Sequence, residues 1–197
     1  MSILTTLASA SVCPSDIAEP LMLSTRTEMN VPERLAWTID RLGIAGNETM
    51  LEIGGGRGIA AALVLSKLTT GRLVGIDRSG TAIEAARALN QVDERAGRLR
   101  LIQTAIESFD AGVDRFDIVF AINVNLFWID AGAALETVRG LLKPDGRLVL
   151  AYEPPSASQI ESISARLRIN LEAAGWQVTA TDRAEQAPLL LATASPF

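Results

Sequence analysis

The segment Met50-Leu-Glu-Ile-Gly-Gly-Gly-Arg-Gly58 holds the most informative chemistry in the chain. A strand-like run enters four glycines within five residues, and a helical stretch follows. Glycine is needed where the backbone takes positive φ or must approach a ligand closely. The start of the following helix leaves N–H groups free at the same point. Together these features predict a nucleotide-sized crevice at the carboxyl end of the first strand, built on Gly54, Gly55, Gly56 and Gly58. Glu52 stands inside the strand, two residues before the first glycine. A carboxylate there is costly to bury unless a cation or strong donors meet it. It would repel a pyrophosphate and hold an amino group. Asp77 ends the run Leu73-Val-Gly-Ile-Asp77, 23 residues after Gly54. A carboxylate at a strand tip can accept both hydroxyls of a ribose, and each such bond is worth roughly 1.5–3 kcal/mol.

Composition narrows the chemistry further. The chain has no histidine, so imidazole serves neither as base nor as metal ligand, and no metal site is expected. Its single cysteine, Cys13, builds no disulfide framework and no thiolate zinc cluster, and is read as structural. The net charge of -5 and the pI of about 4.9 argue against a nucleic-acid partner. At 197 residues, 48% hydrophobic and 21% charged, the chain can bury a core and is not a disordered one. The longest apolar run, Ile59 to Leu65, is far short of the roughly 20 residues that cross a bilayer. No basic, apolar leader precedes Arg26, so no secretory signal is expected. Acidic pI and scarce cysteine fit the cytoplasm. Homo-oligomerisation is left open.

The elements that must position Glu52 and Asp77 come from alternating patterns. Strand-like runs fall at Met50–Ile53, Arg72–Ile76, Leu99–Gln103, Phe116–Ile122 and Arg147–Tyr152. Helical patterns lie between them near Ile59–Leu68, Thr81–Gln91 and Asp130–Leu142. The alternation predicts an α/β fold, a doubly wound parallel sheet with helices on both faces. Continuous apolar runs agree with strands covered on both sides. Capping-box spacings at Asn30/Glu33, Thr81/Glu84 and Ser158/Glu161 mark three helix starts, and Gly43 and Gly175 mark two ends. Two last runs, Trp176–Thr181 and Pro188–Thr193, are spaced to pair as an antiparallel hairpin at a sheet edge. Residues 1–28 lack periodicity and read as a mobile or partly helical N-terminal arm, ahead of one domain over 29–197.

Taken in order, Glu52-x-Gly54-x-Gly56-x-Gly58, Asp77, Phe116-Asp117-Ile118-Val119 and Leu142-Lys-Pro-Asp-Gly-Arg-Leu-Val149 resemble the class I S-adenosylmethionine-dependent methyltransferases. The motifs span residues 50–152, and the helix–hairpin ending extends the layout to the C-terminus. The resemblance implies a Rossmann-like, seven-stranded, mostly parallel sheet whose last strand inserts antiparallel. It also implies the donor S-adenosylmethionine. On that pattern the glycine loop takes the donor's methionine part, Glu52 lies near its amino group, Asp77 takes the ribose diol and Arg78 lies against the adenine. The family often places Asp or Asn at the adenine amine, and here that position falls on Ala105. Either backbone groups of Ala105 and Ile106 serve instead, or the register shifts by one or two and brings in Glu107.

The sulfonium donor is already activated, so alignment of the acceptor is the main task, and positioning supplies roughly 7–11 kcal/mol. The acceptor site is expected beyond the fourth and fifth strands. Asn123 at the fourth strand's end is a candidate for bonding donor or acceptor. Phe127 and Trp128 are candidates for an apolar wall, and Tyr152 and Glu153 are the base-capable pair at the fifth strand's mouth. No residue is assigned as catalytic. Asn123-Val-Asn-Leu departs from the Pro-Pro-aromatic motif of planar-amine enzymes, and Ala121-Ile-Asn123 lacks a carboxylate metal cluster. Metal-independent transfer to a small molecule is the leading expectation. Two alternatives stand beside it. One is a non-catalytic subunit of the same fold. The other is a nicotinamide-dependent oxidoreductase, since Gly56-Arg-Gly58-Ile-Ala-Ala61 also satisfies G-x-G-x-x-A, although no Tyr-x-x-x-Lys pair is present.

Overall fold

The computed structural model describes residues 30–197. The expected arm over 1–28, and Cys13 within it, lie outside the described residues. Helix α1 (Glu33–Arg41) precedes strand β1 (Thr49–Ile53), after which helices and strands alternate. The order is α2 (Ile59–Lys67), β2 (Arg72–Asp77), α3 (Gly80–Leu89), α4 (Gln91–Arg95), β3 (Leu99–Gln103) and β4 (Phe116–Ile122). It continues with α5 (Leu126–Ile129), α6 (Gly132–Leu141), β5 (Leu142–Tyr152), α7 (Ile160–Ala173), β6 (Trp176–Arg183) and β7 (Leu190–Pro196). None of the described helices is long and apolar enough to cross a membrane.

The seven strands form one sheet in the order β3-β2-β1-β4-β5-β7-β6. Strands β1 to β5 are parallel, and β7 runs antiparallel to both β5 and β6. The chain therefore reverses its direction of winding between β1 and β4, and the crevice opens at the carboxyl ends of those strands. Side-chain alternation explains the apolar runs. Leu51 and Ile53 enter the core beneath α5, α6 and α7, whereas Met50 faces the core beneath α1, α2 and α3. A strand buried on both faces has no polar phase to show. Glu52 shares the face of Met50, and it is 4% exposed.

The helix starts differ from the capping-box expectations for local reasons. Pro32 follows Val31 and restricts it to extended backbone, so α1 begins only at Glu33 and no side chain caps it. Ser79, not Thr81, caps α3 by accepting from Ala82 N at 3.2 Å, which starts that helix at Gly80. Ser158 lies in a short 3-10 turn after Pro154 and Pro155, and α7 starts from Gln159 without a side-chain cap. Both glycine stops stand, with φ of +59° at Gly43 and +73° at Gly175. Strand β5 begins five residues earlier than Arg147, because its pairing with β4 slips between Phe116 and Ile118 and takes Leu142 into the ladder. Lys143 Nζ then reaches Asp117 Oδ2 at 2.7 Å, and that oxygen also accepts from Thr49 N at 2.8 Å, fastening three strand starts together.

Candidate active site

The glycine loop turns sharply at the end of β1. Gly54, Gly56 and Gly58 take φ of +70°, +53° and +81°, where a side chain is strained. Their surroundings assign them different work. A Cβ on Gly54 would come within 2.6 Å of Val124 Cγ2, and one on Gly58 within 2.6 Å of Asn90 Nδ2. A Cβ on Gly56 would meet nothing within 4 Å. Gly58 thus lets α3 pack close, where the buried Asn90 amide donates to Gly58 O at 3.0 Å. Gly56 keeps an open approach.

Asp77 ties the loop to β2. Its Oδ2 accepts from Gly56 N at 2.9 Å and its Oδ1 accepts from Ser79 N at 2.9 Å. Each oxygen retains acceptor capacity. Beside it opens a cavity of about 260 Å3 with apolar walls from Ile53, Ile76, Ile106, Val124 and Leu126. Asp77, Arg78, Thr104 and Glu107 supply its polar groups. Two apolar walls for a flat base and a carboxylate for a diol suit a nucleoside. Gly54, Asp77, Arg78 and Ile106 are therefore together at this cavity, and Glu107 joins them whereas Ala105 does not line it.

Glu52 is set apart. Its carboxyl lies beneath the loop, 3.1 Å from where a Cβ on Gly55 would be, in a narrow crevice walled by Gly55, Gly56, Gly58, Gly75, Ile76, Ile83, Ala86 and Leu101. That crevice has no room for a water molecule, and Oε2 has no hydrogen-bond partner among the described residues. Burial, reinforced by the neighbouring Asp77 charge, pushes the Glu52 carboxyl up to about 8. Glu52 was expected near the donor's amino group, and the structure places its carboxyl under Gly55 of the glycine loop. Its side chain lies on the Met50 face of β1, beside Ile83 and Ala86 of α3.

A second cavity of about 560 Å3 adjoins the first, and Asn125 lines both. Asn123, Trp128, Tyr152, Glu153 and the start of α7 surround it. Asn123 faces this larger cavity and not the one at Asp77. It holds φ of +57°, a conformation Asn tolerates, and its Oδ1 accepts from Glu153 N at 2.7 Å. Phe127 is fully buried core and forms no wall, while Trp128 lines the cavity and donates from Nε1 to Asn125 Oδ1 at 3.3 Å. Tyr152 donates its hydroxyl to Val124 O at 2.9 Å, and burial raises its pKa beyond any useful base. Glu153 is the sole carboxylate among the lining residues, and Arg34 holds it at 3.2 Å.

Sequence reasoning gave no role to Val124 and Asn125, which follow a strand end without any distinctive residue type, whereas Thr104 lines the cavity as expected of the segment Thr104–Glu107. It also missed the α7 face, whose Gln159, Ser162 and Arg166 look like a solvated stripe until the sheet brings Trp128 opposite.

The sheet order and the reversal between β1 and β4 are those of the class I methyltransferase fold. Residues 51–148 match the family model described as a methyltransferase domain. The chain belongs to the class I S-adenosylmethionine-dependent methyltransferases. That membership displaces the oxidoreductase alternative. The uncharacterized methyltransferase YdaC of Bacillus subtilis is 29% identical over 145 residues, covering 72% of this chain and 78% of that protein. The structure of the mitomycin 7-O-methyltransferase MmcR superposes with a TM-score of 0.70 at 21% identity, over 83% of this chain and 53% of that one. The chain thus spans about half the length of that enzyme. The magnesium protoporphyrin IX methyltransferase of Synechocystis, solved with bound S-adenosylmethionine, superposes with a TM-score of 0.59 at 16% identity, over 83% of this chain and 76% of that one.

Proposed function

We propose that this protein transfers a methyl group from S-adenosylmethionine to a small molecule seated in the cavity between β5 and α7, without a metal ion. The observation that carries this reading is the pair of adjoining cavities, of about 260 and 560 Å3, which share Asn125. The first suits a nucleoside and the second suits an acceptor of small-molecule size. Two structural neighbours are named for small-molecule acceptors, mitomycin and magnesium protoporphyrin IX, which supports the same choice.

The residues present fit the donor. Asp77 is placed to accept a ribose diol, Arg78 and Glu107 to edge an adenine, and the open space at Gly56 to admit an aminoacyl chain. The donor, when bound, supplies an already activated methyl on a positively charged sulfur. Everything else falls to alignment and exclusion of water. Tyr152 fixes the carbonyl of Val124, and Trp128 fixes the side chain of Asn125, so the partition between the cavities is held from both flanks. Glu153 is the lining group able to take a proton, once its pairing with Arg34 loosens. The acidic, cysteine-poor chain is proposed to work in the cytoplasm.

The test is transfer of labelled methyl from S-adenosylmethionine into separated fractions of a cell extract. Label in the small-molecule fraction is expected. Label confined to protein or RNA would overturn the small-molecule reading, since a structural neighbour is named as a ribosomal protein L11 methylase.

A further inference from the structure

Helix α7 presents Ser162, Ile163 and Arg166 to the larger cavity, and Gln159 just before it continues the same face at helical spacing. Arg166 forms no ion pair and no hydrogen bond among the described residues. Its own helix offers no carboxylate at three or four residues in either direction, where Ser162, Ile163, Ile169 and Asn170 stand. The nearest acid along the helix, Glu161, is bound by Arg183. Across the cavity, Glu153 is bound by Arg34 at 3.2 Å. The lining therefore carries one cation with no anion assigned to it, in a protein whose net charge is -5.

We infer that the methyl acceptor carries a carboxylate or a comparable anionic group, which the Arg166 guanidinium binds while the flat apolar body of the acceptor lies against Trp128 and Pro155. This inference rests on the small-molecule reading of the same cavity. A guanidinium presents a rigid fork that matches a carboxylate with two hydrogen bonds. Ser162, one turn earlier on the same face, donates its hydroxyl to Gln159 O at 2.9 Å, so the guanidinium is the charged donor on this face. Trp128, tethered to Asn125, offers a ring face whose rotation is restrained. Arg166 is largely exposed, so solvent screens the attraction, and the inferred selectivity is moderate.

The experiment titrates the full chain, loaded with S-adenosylhomocysteine, with hydroxybenzoates and with the matched neutral hydroxybenzamides. The wild type is expected to prefer the carboxylates by about fivefold or more, and a roughly tenfold rise in ionic strength should shrink that preference. Arg166→Gln should remove the preference, Arg166→Lys should retain part of it, and S-adenosylhomocysteine affinity should stay within about twofold in both. Equal binding of acids and amides by the wild type, or no binding of either, overturns the inference, as does a preference that survives Arg166→Gln. Failure of S-adenosylhomocysteine itself to bind would instead strike the methyltransferase site on which the inference stands.

Discussion

The backbone N–H of Gly56 donates to Asp77 Oδ2 at 2.9 Å, so the loop after β1 and the tip of β2 are one bonded unit. The other carboxylate oxygen accepts from Ser79 N, at the cap of α3. Asp77 consequently has two duties, shaping the loop and facing the cavity. A carboxylate that only capped the helix would leave the loop's N–H unbonded.

That double duty makes Asp77→Ala more than a loss of ligand contact. Affinity for S-adenosylhomocysteine should fall by about 1.5–3 kcal/mol, as a charged acceptor is removed. Thermal unfolding should also show a loss of about 1 kcal/mol, because Gly56 N and Ser79 N lose their partner. Asp77→Asn keeps one carbonyl oxygen and should recover most of the stability but little of the affinity. Calorimetric titration and a melting curve on the same samples separate the two effects. Wild-type affinity in Asp77→Ala would remove the ribose assignment.

Gly56 and Gly58 sit two residues apart with similar positive φ, yet they should fail differently. Gly56→Ala bears only the left-handed backbone strain of roughly 1–2 kcal/mol, since no atom lies within 4 Å of the new Cβ. Its main loss should be in S-adenosylhomocysteine affinity. Gly58→Ala adds a collision with Asn90 Nδ2 at 2.6 Å and with Ala86 Cβ at 2.8 Å. It should destabilise by a further 1–3 kcal/mol or so. Urea midpoints for the pair, measured without ligand, check the ranking, and equal midpoints would contradict the packing role of Gly58.

The fold was legible because its signals are local and repeated. Buried strands such as Phe116–Ile122 and Leu99–Gln103 are bounded by residues that end them, and their expected limits coincide with the observed ones. Helix starts were less legible, since Pro32 and Ser79 each displaced a nearby capping pattern by a residue or more. The glycines and Asp77 announced a crevice, but the direction of Glu52 did not follow from its place in the chain. Strand phase decides it, and Glu52 shares the phase of Met50, under α3. Of the two registers left open after β3, Glu107 and Ile106, within the 3-10 turn at Ile106–Ser108, line the cavity, and Ala105 just before it does not. The larger cavity was legible in part: Asn123, Trp128, Tyr152 and Glu153 were named after the fourth and fifth strands, whereas its α7 face was not. The cavity exists only where β4, β5 and α7 converge, and no stretch of sequence contains that convergence.

Tyr152→Phe tests whether the hydroxyl positions the chain or takes a proton. In the structure it donates to Val124 O and is buried, so the substitution should cost about 1 kcal/mol of stability by leaving that carbonyl without its donor. With any acceptor that turns over, KM should rise as Asn125 and Val124 loosen, while the pH profile of kcat keeps its shape. Loss of the limb on which activity rises with pH, as a base gives up its proton, would make Tyr152 a catalytic base.

Glu52 gives the protein an unusual pH dependence. Its carboxyl is pushed from the ordinary 4.5 up to about 8, so between those values the folded chain holds a proton that the unfolded chain releases. Stability from this group is complete below about pH 4.5, declines as pH rises and is gone above about pH 8. At about 1.4 kcal/mol per pKa unit the swing is on the order of 5 kcal/mol. Glu52→Gln keeps the shape and carries no ionisable proton, so its stability should be flatter from pH 5 to about 8 and should exceed the wild type's at the alkaline end. Denaturant unfolding across that range, without ligand, reads the slope directly. Parallel curves for wild type and Glu52→Gln would mean that the carboxyl is ionised in the folded chain and has a cationic or donating partner beneath the loop.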